Sequence, residues 1–297
     1  SDRRAGWLGY GWSTPLAAEL SLAWGQVQYH DERGRLIAFP AVARGRSHFD
    51  HRHKLRLIHH HDGRYSLEST NGIRHEFAAP SAGMWRLPLA RLSDRHGNAI
   101  TLHRPTCESN GVDGEAPRPA GVTDSAGRRL DFVWTPSGQL TEVRLRVPGV
   151  NQSLLLVRYA YGGDGNDDGD AQPNLISATD ALGGTNHYRY QRHLMVAYTT
   201  KSGFTHHQQW SRLDAGGRVV RTWTDEPGVL ETRFDYDLAG RVTHVTDALG
   251  RTSSYRYNAQ HEVTTIIEPG PDDQPVVSHT EMDASGNPVA SADPLEI

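Results

Sequence analysis

The sequence predicts an all-β protein, built from antiparallel hairpin repeats that form a continuous curved sheet. Three features carry this expectation. The phrase Asp-x-x-Gly recurs nine times, the residues between its copies alternate apolar and polar, and a helical pattern is almost absent.

The corners come first. Asp-x-x-Gly stands at Asp31/Gly34, Asp94/Gly97, Asp124/Gly127, Asp180/Gly183, Asp214/Gly217, Asp225/Gly228, Asp237/Gly240, Asp247/Gly250 and Asp283/Gly286. From Asp214 to Asp247 successive copies lie 11, 12 and 10 residues apart, the length of one strand and one turn. Thr179, Thr200, Thr224 and Thr246 mark a longer period, with steps of 21, 24 and 22 residues. The near-identical phrases TDALGGTNHYRYQ and TDALGRTSSYRYN are therefore three repeat units apart. An Asp opening such a turn can accept the backbone amide two residues on. Gly takes the positive φ that strains other residues, giving a type I turn closed by a G1 bulge. Asp180, Gly183, Asp214, Gly217, Asp225, Gly228, Asp237, Gly240, Asp247 and Gly250 are accordingly read as structural turn residues.

The strands follow from period-two alternation. LDFVW sets Leu130, Phe132 and Trp134 on one face, and EVRLRV does the same for Val143, Leu145 and Val147. Phe234 with Tyr236, and Tyr255 with Tyr257, repeat the pattern with aromatic rings. The stretch Thr14–Trp24 reads either as a helical turn or as a strand. Residues 1–104 form an N-terminal region of hairpins of irregular length, with a turn at Asn71-Gly72. Residues 105–121 read as a loop or insertion. The repeat array covers 122–297, is most regular over 176–267, and is interrupted by loops at 162–174 and 268–276. No linker is long enough to separate domains.

Composition bounds the rest. Apolar residues make up 36% of the chain, yet seven Trp, eleven Tyr and six Phe argue against disorder. With a mean hydropathy of -0.61, these numbers fit a fold that leaves much sheet surface wet. A net charge of -4 provides no global basic field for nucleic acid or anionic lipid. Cys107 is the single cysteine, which excludes an intrachain disulfide and a Cys-rich zinc site and suits synthesis in a reducing cytosol. No apolar run is long enough for a membrane-spanning helix. The chain opens without an initiator Met or a signal-peptide core and ends without a closing element, so it reads as a segment of a longer polypeptide.

Candidate sites are few. Among seventeen His, His59 and His61 would share a strand face and could ligate zinc or copper, but nothing at a suitable spacing completes the set, so a polar strand face is the plainer reading. DGNDDG matches half of a calcium loop, with Asp164, Asn166 and Asp168 as oxygen ligands and Gly169 at the sharp turn; the twelfth position is Leu175, which offers no carboxylate. Cys107 has no recognisable partner His. No nucleophile elbow, phosphate-binding loop or metalloprotease helix is present, and most Asp residues are accounted for by turn geometry. Neither an enzymatic activity nor a cofactor is expected. Alternating Tyr and Trp could form a sugar-binding platform, although cross-strand packing explains them better.

YDLAGRVTHVTDALGRTSSYRYN, from Tyr236 to Asn258, resembles the repeating phrase of the Rhs/YD-repeat family; LDAGGRVVRTWTDEPG at Leu213–Gly228 is close to it. The opening GWLGYGWSTPLAAELSL is similar to the aromatic-glycine entry to the repeat region of bacterial Rhs proteins. The resemblance covers essentially the whole chain. It implies a strip of β-sheet that spirals into a hollow shell around a C-terminal toxin domain, with this chain as an N-terminal portion of the wall. The self-cleaving region and the toxin would lie beyond Ile297, so no catalytic residue is carried over. The partners implied are the rest of the shell, the enclosed toxin, and spike or adaptor proteins of a type VI secretion system. Synthesis in the bacterial cytoplasm and delivery into a target cell go with that picture. The same family also allows a cell-surface module for adhesion or carbohydrate binding.

If each corner glycine is held at positive φ, Gly240→Val and Gly250→Val each lower stability by about 1–2 kcal/mol through backbone strain, measured by chemical denaturation.

Overall fold

The computed structural model describes residues 5–23, 25–80, 85–105, 117–149, 152–163, 173–226, 228–271 and 274–292. Among them are twenty-six strands and one short 3₁₀ turn, Pro15–Ala17. The ambiguous stretch near the N-terminus is thus both things in succession. Pro15 fixes the φ of a single tight turn, and the alternating ELSLA behind it runs on as a strand.

Two compact units divide the chain: residues 1–163 with 169–185, and residues 164–168 with 186–297. The first unit begins with the two-residue strands β1 (Ala5–Gly6) and β2 (Gly9–Tyr10), followed by β3 (Glu19–Ala23), β4 (Gln26–His30) and β5 (Leu36–Pro40). Then come β6 (Arg46–Asp50), β7 (Leu55–His59), β8 (Tyr65–Ser69), β9 (Arg74–Phe77), β10 (Arg86–Ser93) and β11 (Ala99–His103). It continues through β12 (Gly121–Asp124), β13 (Arg129–Trp134), β14 (Leu140–Arg146), β15 (Ser153–Gly162) and β16 (Asn174–Asp180).

The strands β6 to β16 pair antiparallel, each with the next in sequence. The long β10 also serves a second leaf. Its first half, Arg86–Pro88, pairs with β3, and β3 pairs with β4, which pairs with β5. The two leaves share one core. Leu20 and Phe39 of the small leaf, with Leu57, Leu67, Leu87 and Leu89 of the large one, are almost wholly removed from water. Period-two patterning is visible in β5, where Ile37 and Phe39 are buried and Leu36, Ala38 and Pro40 exposed. Trp7, between β1 and β2, packs edge-on against Trp134 and Phe132 at 5.3 and 6.3 Å. Its carbonyl accepts the Leu140 amide at 2.7 Å, which fixes the N-terminal segment to β14.

The second unit is built otherwise. Its strands are β17 (Thr185–Gln191), β18 (Leu194–Thr199), β19 (Thr205–Trp210), β20 (Val219–Trp223) and β21 (Thr232–Asp237). They continue as β22 (Val242–Thr246), β23 (Thr252–Tyr257), β24 (Val263–Pro269), β25 (Pro275–Met282) and β26 (Pro288–Ala292). Each pairs antiparallel with the next in an unbroken meander. Ala197 is the single fully buried apolar residue described there. The ladder is one layer thick. Register places Tyr188, Tyr198, His206, Phe234, Val245, Tyr255 and Ile266 on one face, and Arg189, His207, Arg221, Arg233, His244 and Arg256 on the other. A layer of this kind needs few buried side chains, which accounts for the low apolar content.

The contrast between the units is measurable. Leu87→Ala opens a cavity in a sealed core and is expected to cost about 2–5 kcal/mol. Ile266→Ala removes only cross-strand contacts and is expected to cost about 1 kcal/mol or less. Denaturant titration of the two variants checks the difference.

Candidate functional site

The recurrent structure is the hairpin corner. At Asp247 the backbone closes on itself twice: the Asp247 amide donates to the Arg251 carbonyl and the Gly250 amide to the Asp247 carbonyl, both at 3.0 Å. Gly250 has a φ of 80°. The carboxylate then braces the loop from inside. Oδ1 accepts the amides of Leu249 and Arg251 at 2.9 and 3.0 Å, and Oδ2 accepts the Arg251 guanidinium at 2.7 Å. That guanidinium holds the Asp247 carboxyl below the usual carboxylate range. A single side chain thus satisfies two amides that the turn would otherwise leave to water.

The same clamp recurs at Asp31, Asp94, Asp124, Asp180 and Asp283, each accepting the amides two and four residues on. Gly34, Gly97, Gly127, Gly183 and Gly286 carry positive φ in these turns. Thr pairs seal the strand ends behind the corners: Thr179 with Thr185 at 2.9 Å, Thr199 with Thr205 at 3.0 Å and Thr246 with Thr252 at 2.9 Å. The repeated thirteen-letter phrases therefore share their corner geometry and the threonine pair behind it. They are framework.

Three corners depart from the expected form. Gly240 is not at positive φ; Arg241 is, at 54°. Asp237 pairs with Val242, so the loop holds four residues and its left-handed position falls one place later than the glycine. A Cβ at Gly240 would lie 2.1 Å from the exposed Asp237 carboxylate, which would have to swing aside. A valine at Gly240 therefore acts by displacing Asp237, whereas at Gly250 it acts through φ. Gly217 is likewise outside the positive region, and a Cβ there would meet the Arg212 carbonyl at 2.2 Å. In that long loop Asp214 accepts the Gly216 amide and pairs with Arg212. Asp225 does not brace its own turn. Its carboxylate accepts the Thr205 amide at 3.0 Å, linking adjacent corners, while Gly228 and Leu230 carry φ values of 89° and 50°.

Other corners open on a residue that is not Asp; the letters mark those at Asp62-Gly63, Asn71-Gly72 and Thr200, whereas the corners at Thr135 and Asn258 go unmarked. His60, Ser69, Thr135, Thr200 and Asn258 each open a five-residue turn with the same backbone bonds. Asn258 reproduces the whole clamp, with His261 at a φ of 61° where a glycine usually stands. The available signal was the glycine three residues on, at Gly63, Gly72, Gly138 and Gly203; Asn258 lacked even that.

Ion pairs stitch neighbouring strands. Glu231 accepts Arg221 at 3.0 and 2.7 Å and Arg233 at 2.7 Å, and these hydrogen bonds, Arg221 first, hold its carboxyl down to about 2. Asp131 is shared by Arg129 and Arg146, and Glu142 by Arg144 and Arg158. His59 donates from Nδ1 to the Val42 carbonyl at 2.7 Å and stacks on Tyr65 at 4.1 Å. His61 lies exposed beside Gly45. Among the described residues no three His, Cys, Asp or Glu side chains gather to hold a metal. Asp164, Asn166 and Asp168, and also Cys107, lie outside the described residues.

Known proteins resemble this chain in its repeats and at its N-terminal end. The RHS Repeat family model matches residues 214–251 and 236–271, and a domain of unknown function, DUF6531, matches residues 1–39. The chain is 32% identical to Double-stranded DNA deaminase toxin A of Burkholderia cenocepacia, over 87% of this chain and 17% of that toxin. It is 27% identical to Toxin protein Tse5 of Pseudomonas aeruginosa, over 99% of this chain and 24% of that protein. It thus spans a quarter or less of these relatives. A solved TcdB2-TccC3 structure without its hypervariable C-terminal region aligns with 95% of this chain and 16% of its own, at 11% identity and a TM-score of 0.43.

The Glu231 cluster makes a pH prediction. A carboxyl depressed in the folded state contributes stability above its ordinary value, and that contribution is lost as pH falls toward about 2. Glu231→Gln is therefore expected to melt below the wild type at pH 7, with the gap closing as pH falls from about 5 to about 2. Melting temperatures across that range check it.

Proposed function

This chain belongs to the Rhs/YD-repeat family, and on that premise we propose that it is a non-enzymatic section of a shell wall that encloses a toxin domain of the same polypeptide. The observation that carries the reading is the second unit: a one-layer ladder, continuous across ten strands, in which carboxylates such as Asp247 and Glu231 are taken up by corners and ion pairs. A wall needs extent and closure of backbone hydrogen bonds more than it needs a thick core. The first unit adds the sealed two-leaf core that anchors one end of the chain to a stable body.

Containment is then the mechanism. The wall separates a harmful cargo from the cell that makes it until the polypeptide is delivered into a target cell, type VI secretion being the route that the family resemblance implies. Ring pairing favours this framework role over a sugar-binding surface. Tyr198 lies stacked on His206 at 4.5 Å and His207 on Trp223 at 5.2 Å, so these rings are already engaged with neighbours.

The test uses the full-length polypeptide that contains this segment. A corner-breaking pair, Gly183→Val with Gly250→Val, is expected to open the wall and make the region beyond the repeats sensitive to limited proteolysis, while the parent resists. Equal cleavage of that region in both proteins contradicts containment.

A further inference from the structure

The first unit contains a cavity of about 200 Å³ beneath the N-terminal segment, lined in part by Trp7, Trp12, Glu19, Asp31, Arg86 and Arg104. Its walls also include Arg33 and Arg118, both exposed at its mouth. The carboxylates there are committed. Asp31 clamps its own corner and takes Arg35 at 2.7 Å, and Glu19 lies 3.5 Å from Arg86.

Arg104 is different. Its Nη1 donates to the Leu89 carbonyl at 2.6 Å, but its Nε is buried without a partner. Among the described residues it has no acidic neighbour in contact, and Arg118 adds a second positive charge nearby. Burial first, and Arg118 second, bring the Arg104 pKa down to about 10, which still leaves the guanidinium charged at neutral pH. The arginines that stitch strands elsewhere share carboxylates, as at Asp131, Glu142 and Glu231. A half-buried guanidinium with an unmet donor and no counter-charge is costly unless something supplies both.

We infer that this cavity binds a small oxyanion, a carboxylate or a phosphate group, with Arg104 at its floor and Arg33 and Arg118 at its mouth. The space is several times the ~30 Å³ share of one water, enough for a group of a few heavy atoms. A planar guanidinium suits either oxyanion, because its paired N–H donors match two oxygens. Indole rings of Trp7 and Trp12 in the wall exclude water and so strengthen the attraction.

The test is calorimetric titration of the whole chain with inorganic phosphate and, separately, with glutarate, against sodium chloride at equal ionic strength. Melting temperature is followed in parallel. At concentrations about tenfold above Kd, the bound anion is expected to raise melting by about 3–6 °C over chloride. The stronger of the two anions identifies the source. Arg104→Gln is expected to weaken binding roughly tenfold or more, and Arg118→Gln, on the exposed rim over the Trp134 ring, several-fold. The inference is overturned by heat and melting no different from chloride for both anions. It is equally overturned by binding that Arg118→Gln and any folded Arg104→Gln leave unchanged.

Discussion

Everything in this molecule depends on the chain reversing direction cheaply and often. A meander reverses once per strand, and each reversal strands backbone amides that no ladder can reach. One aspartate meets that need by accepting two of them on a single oxygen, at the second and fourth positions after itself. A left-handed residue completes the turn, and at each of these corners except Asp180 an Arg or Asn at the fourth position occupies the second carboxylate oxygen. The corner is self-contained. It requires nothing from a hydrophobic core, so it can be repeated at intervals of 10–12 residues along a ladder that has none.

That independence explains how two constructions coexist in one chain. In the first unit the small leaf β3–β5 covers part of the large one, and side chains from both are sealed from water. There, burial holds the sheet. In the second unit the strands β17–β26 stand as a single layer, and stability comes from pairing, stacked rings such as His207 on Trp223, and shared carboxylates such as Glu231. Each strand leans on its sequence neighbours, the logic of a one-dimensional array.

Much of the fold was legible because hairpin physics is local. Asp247 and Gly250 announce a turn, and the alternation in LDFVW announces a strand, within a handful of letters. The sealed core was harder to see. The second partner of β10, strand β3, lies some 65 residues away in sequence, and no local pattern predicts that Arg86–Pro88 will pair with it. Corner details were partly hidden for a similar reason. Whether Gly240 or Arg241 takes the left-handed position depends on loop length, which register fixes and letters do not. Leu182 and Leu249 look like core residues in a repeated TDALG phrase, yet they are 95% and 78% exposed at the corner tips. The Arg104 cavity left no trace in the sequence, because its lining comes from segments around Trp7, Asp31, Arg86 and Arg118 that only tertiary structure brings together.

The central claim is that aspartate braces the corner through backbone amides rather than merely tolerating it. Amide hydrogen exchange at Leu249 and Arg251 reads this directly. The account predicts that both amides are protected in the native chain and that Asp247→Ala raises their exchange without changing that of Tyr255 in the middle of β23. Equal exchange at Leu249 and Arg251 in the two proteins would contradict it.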